Sequence, residues 1–123
     1  MALSTLILIL ATVLASAIAQ LALKLGMSNP AIAAAARDGG TALILAVAGS
    51  PLVWTGLAIY GAGVAAWLYV LSKVDLSLAY PFVGVSFIVV MLFGIFLLQE
   101  TVSPLRMIGT VMIALGCVLV ARS

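Results

Sequence analysis

The chain has 123 residues, of which 67% are hydrophobic and 7% charged, with a formal net charge of +2. That is too little charge to solvate a globular surface of this size, so lipid must be the principal solvent. With no histidine and Cys117 as the single cysteine, a His/Cys metal cluster and an internal disulfide are excluded, and so small and scattered a charge argues against nucleic-acid binding.

A bilayer core takes about 20 apolar residues per helix. Runs of that length extend over Leu3 to Leu25, Leu52 to Ser72, Leu76 to Leu98 and Leu105 to Ala121. They predict an all-α integral membrane protein with four transmembrane helices in a single domain, residues 1–123. Ala15-Ser16-Ala17 has the look of a signal-peptide cleavage site. No Lys or Arg precedes the apolar run, however, and hydrophobicity continues to Leu25, so a retained span is expected.

Within this first span Thr12, Ser16, Gln20 and Lys24 recur at every fourth position and form a stripe that drifts slowly around the helix. Gln20 and Lys24 are candidate substrate-binding residues, Lys24 holding an anionic group by charge and Gln20 hydrogen-bonding a polar one. The alternatives are hydrogen bonding between helices for Gln20 and snorkelling to the headgroups for Lys24. Thr12 and Ser16 are expected to hydrogen-bond between helices.

Asn29-Pro30, Ser50-Pro51 and Ser103-Pro104 each place a capping side chain before a proline at the first helical position, and so mark three helix starts. The connector over residues 29–50 is broken by Arg37-Asp38-Gly39-Gly40 into halves too short to cross a bilayer. A short helix over Pro30 to Ala36, a hinge at the glycine pair and an interfacial helix over Thr41 to Val47 are expected, with a mobile Ala-rich linker as the alternative for the first half.

The second span stacks Gly56, Tyr60, Gly63 and Trp67 on one face. Its small residues admit another backbone closely, and Tyr60 and Trp67 are candidates to wall a cavity, with plain packing as the alternative. Trp54 and Tyr69 fall near the span ends, as interfacial belt residues do.

Asp75 or Ser77 is the expected cap of the third span. There Pro81 lacks an N–H, which leaves the carbonyl of Ser77 without its helical donor, and Gly84 adds pliability, so these two are candidate hinge residues, with a fixed bend in a tightly packed helix as the alternative. A freed carbonyl inside a membrane needs protein, water or substrate to replace its bond, which points Ser77, Tyr80 and Ser86 toward an inner cavity. Glu100 and Arg106 face each other across the next turn. A surface ion pair is expected, or a phosphate held by Arg106 at the mouth of a groove. Thr110 and Cys117 share the face of Arg106 and are expected to pack.

Asp38, Asp75 and Glu100 all fall in connectors or at span ends. Proton-coupled cation export through a buried acid therefore lacks its essential group, and with no nucleophile paired to a base an enzyme is not expected. The amino terminus, Lys73 and Arg122 load one membrane face, and Lys24, Arg37 and Arg106 the other. This near balance permits an antiparallel homodimer, and a fixed orientation beside a similar partner subunit fits equally well.

The stretch from Trp67 to Leu78-Ala79-Tyr80-Pro81, then Gln99-Glu100-Thr101-Val102-Ser103-Pro104 and the helix from Gly109 to Val120, together with Gln20 and Lys24, resembles the four-span, EamA-like members of the drug/metabolite transporter superfamily. The resemblance covers most of the chain except Asn29 to Gly49. Small multidrug exporters of that superfamily carry a glutamate where this chain places Ser16. The better match is to the paired subunits that flip aminoarabinose-phosphoundecaprenol across the bacterial inner membrane, which share the Ala-Tyr-Pro and Glu-Xaa-Val-Ser-Pro patterns.

What the resemblance implies is an inner-membrane flippase, acting as a dimer on a lipid-linked sugar or another polyprenyl phosphate derivative, with no cofactor. The polar stripe and the proline motif suggest the roles: Lys24 and Arg106 would hold phosphate, Gln20 and Tyr80 would contact sugar or diphosphate oxygens, and Pro81 with Gly84 would permit alternating access. Two other readings are export of a small amphipathic cation or metabolite, with Tyr60 and Trp67 supplying cation-attracting ring faces, and a non-transporting accessory membrane subunit.

Overall fold

The computed structural model describes residues 3–123, so the amino terminus counted in the charge balance lies outside the described residues. The elements are α1 (Leu3–Met27), α2 (Pro30–Asp38), α3 (Gly40–Ala48), α4 (Pro51–Leu71), α5 (Leu76–Ala79), a 3-10 turn (Tyr80–Val83), α6 (Gly84–Phe96) and α7 (Pro104–Arg122). Helix α1, helix α4, the run from α5 through α6, and α7 are each long and apolar enough to cross a membrane. The protein is an all-α integral membrane protein with four transmembrane helices.

The capping side chains act at α2, α4 and α7. Asn29 is extended (φ −61°, ψ 130°) and its side chain accepts from the Ala31 N–H at 2.9 Å. Ser50 accepts from Val53 N–H at 3.5 Å and Ser103 from Arg106 N–H at 3.2 Å, each ahead of a proline in the first turn. Each thereby satisfies an amide that the helix itself leaves unpaired. Asp75 sits at the start of α5 in extended geometry, but its side chain makes no capping bond.

In the connector the break falls at Gly39, whose φ of 122° is open to glycine and strained for other residues. The two nine-residue helices on either side each span about 14 Å. Helix α3 is tied to α4 by the Trp54 indole, which donates to the Ala48 carbonyl at 2.6 Å. Trp54 therefore pins the end of the connector, a more specific task than that of a generic belt residue.

Helix α1 packs most extensively on α4 and next on α6, while α7 packs mainly on α6 and the 3-10 turn. Two glycines set the α1–α4 spacing. A Cβ on Gly26 would fall 2.7 Å from Val53 Cγ2 and 3.0 Å from the Val53 backbone nitrogen, and one on Gly56 would fall 2.8 Å from Leu23 Cγ and 3.1 Å from the Ala19 carbonyl oxygen. In lipid, where apolar surface gains nothing from leaving the solvent, such close backbone approach is a principal source of helix association. A core of Ile9, Val13, Val70, Ala79 and Phe82 closes the end of the bundle away from the connector.

Candidate functional site

The polar stripe of α1 divides. Each fourth-residue step advances about 40° around an α-helix, so the stripe has turned by about a third of a circle between Thr12 and Lys24. Its first half faces α4 and the 3-10 turn; its second half faces α6. Each half lines its own cleft.

The first cleft, about 160 Å³, is walled by Thr12, Val13 and Ser16 of α1, Tyr60, Gly63, Val64 and Trp67 of α4, and Tyr80, Val83 and Ser86 of the third span. Tyr60 and Trp67, placed on one face by the sequence, thus share this cleft with Tyr80. The Trp67 and Tyr80 rings meet edge-on at 6.5 Å and 68°, a favoured aromatic geometry that also joins α4 to the third span. Ser86 lines the same cleft with its hydroxyl on the Val83 carbonyl. Ser77, expected beside it, is exposed and lies outside the lining. Thr12 and Ser16, expected as bridges between helices, are cleft residues instead, and the Thr12 hydroxyl donates within its own helix to the Leu8 carbonyl at 2.8 Å.

The second cleft, about 270 Å³, opens between α1 and α6 at the membrane face where the connector lies. Ala17, Gln20, Leu21 and Lys24 form one wall, and Val90, Phe93, Leu98 and Glu100 the other. Gln20 and Lys24 are thus brought together, and with them a carboxylate that the sequence suggests should pair with Arg106.

Glu100 owes its place to how α6 ends. Leu97 and Leu98 N–H both donate to the Phe93 carbonyl, Gln99 takes a left-handed φ of 56°, and Glu100 N–H donates back to the Gly94 carbonyl at 2.8 Å. The carboxylate then lies over Gly94, where a Cβ would meet Oε2 at 2.7 Å. It is turned toward α6 and the cleft. Arg106, exposed one turn into α7, lines neither cleft. Gly94 and the non-glycine turn are visible in the sequence, but only the left-handed Gln99 gives Glu100 its direction. Because a side chain at such φ is strained, Gln99→Gly is expected to stabilise the fold by about 0.5–1 kcal/mol; a raised midpoint of detergent unfolding checks this.

At the 3-10 turn the Cys117 thiol donates to the Pro81 carbonyl at 2.6 Å. Cys117, expected only to pack, is a polar link from α7 to the turn. Gly84, expected as a source of pliability, is also a point of close approach: a Cβ there would meet Cys117 Sγ at 2.6 Å and Ile113 Cγ2 at 2.8 Å.

Three relatives carry the same description, probable 4-amino-4-deoxy-L-arabinose-phosphoundecaprenol flippase subunit ArnE. That of Pseudomonas aeruginosa is 35% identical over 116 residues, 94% of this chain and 96% of the relative. That of Pseudomonas paraeruginosa is 34% identical over 115 residues, 94% of this chain and 95% of the relative. That of Proteus mirabilis is 42% identical over 67 residues, 54% of this chain and 59% of the relative. The Asn29 to Gly49 connector is too long to lie outside a match covering 94% of the chain, so it belongs to the shared length. No protein-family model matches the chain, and no solved structure matches it.

Proposed function

The chain belongs to the family of 4-amino-4-deoxy-L-arabinose-phosphoundecaprenol flippase subunits, and from that membership we propose that it moves a lipid-linked sugar, carried on a polyprenyl phosphate, between the leaflets of a bacterial inner membrane. It does so as a transporter subunit and not as an enzyme. The observation that carries this reading is the second cleft: Lys24 and Gln20 stand, opposite Glu100, in an otherwise apolar groove at one membrane face. A sugar phosphate can be held there by charge and hydrogen bonds while its isoprenoid tail stays in lipid.

Lys24 takes the phosphate ester and Gln20 the sugar hydroxyls. Arg106, on the same membrane face but outside the cleft, contributes positive charge to the approach. The aromatic cleft of Tyr60, Trp67 and Tyr80 receives the headgroup further across the membrane, and the Pro81–Gly84 segment, where the helix tightens to a 3-10 turn, is the hinge between the two. The first cleft would suit an amphipathic cation by its rings, yet none of its lining residues is an acid; the acid of the second cleft, Glu100, shares its groove with Lys24, so a lipid-linked headgroup bearing a phosphate is the better fit. Four spans enclose no continuous path alone. A similar four-span subunit, identical or separately encoded, completes the pathway.

Transport of a polyprenyl-phosphate-linked sugar, measured in proteoliposomes containing the protein with whatever subunit co-purifies, tests the assignment. Lys24→Ala is expected to lower the rate about tenfold through loss of a charge-assisted contact, and Arg106→Ala by a smaller factor that salt screens. Undiminished transport in both variants would remove these residues from the mechanism. A protein that moves no lipid, and whose loss only depletes a larger partner, would point to an accessory role.

A further inference from the structure

We propose that Glu100 is the group that selects a cationic headgroup: it receives the ammonium of an amino sugar while Lys24 holds the phosphate of the same lipid. This rests on the lipid-linked sugar function proposed above and gives that substrate a required charge pattern, positive beyond negative.

A neutral sugar on a phosphate calls only for cations and hydrogen-bond donors, and a carboxylate in the same groove repels it. Yet the second cleft is built to hold one. The left-handed Gln99 reverses the chain, the Glu100 N–H is fixed on the Gly94 carbonyl, and the missing side chain of Gly94 leaves the seat that the carboxylate occupies. Three separate backbone features thus converge on one acidic side chain, opposite Lys24 and Gln20 of α1.

Lys24 and Glu100 line opposite walls of the groove. A zwitterionic headgroup makes two matched contacts there, ammonium on Glu100 and phosphate on Lys24. A headgroup lacking the ammonium takes Lys24 and brings its phosphate into the groove that Glu100 also lines, with nothing to offset the like charge. That like-charge repulsion counts against the wrong headgroup, and the attraction of the ammonium for Glu100 favours the right one.

The test uses two probes, undecaprenyl phosphate bearing an arabinose with a free 4-amino group and the same lipid N-acetylated, each followed in proteoliposomes made with the complex as isolated. Wild-type protein is expected to prefer the free amine. Glu100→Gln is expected to lower transport of the free-amine lipid at least about tenfold, the size of a lost charge-assisted hydrogen bond, and to leave or raise that of the acetylated lipid. Gly94→Ala, which pushes the carboxylate from its seat while keeping the charge, should shift the ratio the same way, and it carries the test if Glu100→Gln fails to accumulate. An equal loss for both lipids in these variants, or no change for either, would overturn the role of Glu100 and leave the flippase reading intact. Movement of neither lipid by the wild-type protein would overturn the flippase reading, and this inference with it.

Discussion

Gly56→Ala is expected to destabilise the protein by about 1–3 kcal/mol, the usual cost of an extra methyl group in a filled contact, while Gly63→Ala, two turns further along α4, is expected to be neutral or slightly stabilising. Both substitutions make the same chemical change on the same helix, and both gain up to about 1 kcal/mol in helix propensity. They differ in what the new Cβ meets. At Gly56 it would lie within 3 Å of two Leu23 atoms and 3.1 Å from the Ala19 carbonyl oxygen; at Gly63 nothing lies within 4 Å. Leu23 can turn aside, but the Ala19 carbonyl belongs to the α1 backbone and can move only if the helix does. The α1–α4 pair, the most extensive packing in the molecule, must then part or tilt. Unfolding midpoints in detergent for the two variants decide the matter: equal effects would mean that the close approach of α1 and α4 at Gly56 contributes nothing.

Gly63→Ala has a separate value, because Gly63 lines the aromatic cleft. A methyl there narrows the cleft without touching the α1–α4 seam, so any loss of transport in that variant reports on the cleft and not on folding.

The four spans are legible in the sequence because lipid imposes a length and an apolar composition that few other folds share, and the starts at Pro30, Pro51 and Pro104 because capping is a local event between neighbouring residues. The polar stripe of α1 is legible as a stripe, since its fourfold spacing is arithmetic. Its division into two clefts is not, because that depends on where α4 and α6 sit around α1. Gly56 and Gly84 show the same boundary. Sequence marks them as small, but whether a glycine is a hinge, a seat or a point of packing is decided by the atom opposite, which belongs to another helix. Glu100 escapes sequence reasoning for a related reason: its proximity in the chain to Arg106 suggests a pair, whereas the left-handed Gln99 folds the carboxylate back over α6.

At the proposed hinge, Gly84→Ala is expected to cost about 2–3 kcal/mol and to reduce transport further than this loss of folded protein accounts for. Cys117→Ala introduced with it should return about half of the stability. The added methyl would stand 2.6 Å from Cys117 Sγ and 2.8 Å from Ile113 Cγ2, two side chains on the face that α7 presents to α6. Cysteine has one bond about which Sγ can swing, and here the thiol is engaged by the Pro81 carbonyl at 2.6 Å, so yielding to the methyl means giving up that bond. Cys117→Ala alone removes the bond and should cost less than about 1.5 kcal/mol. In the double variant the sulfur is absent and only Ile113 still obstructs, hence the partial recovery. The coupling between the two substitutions should therefore exceed the roughly 0.3–0.5 kcal/mol typical of independent sites. Additive effects within that margin would mean that α7 does not brace the turn through Cys117, and the excess transport defect would then have to be traced to Ile113.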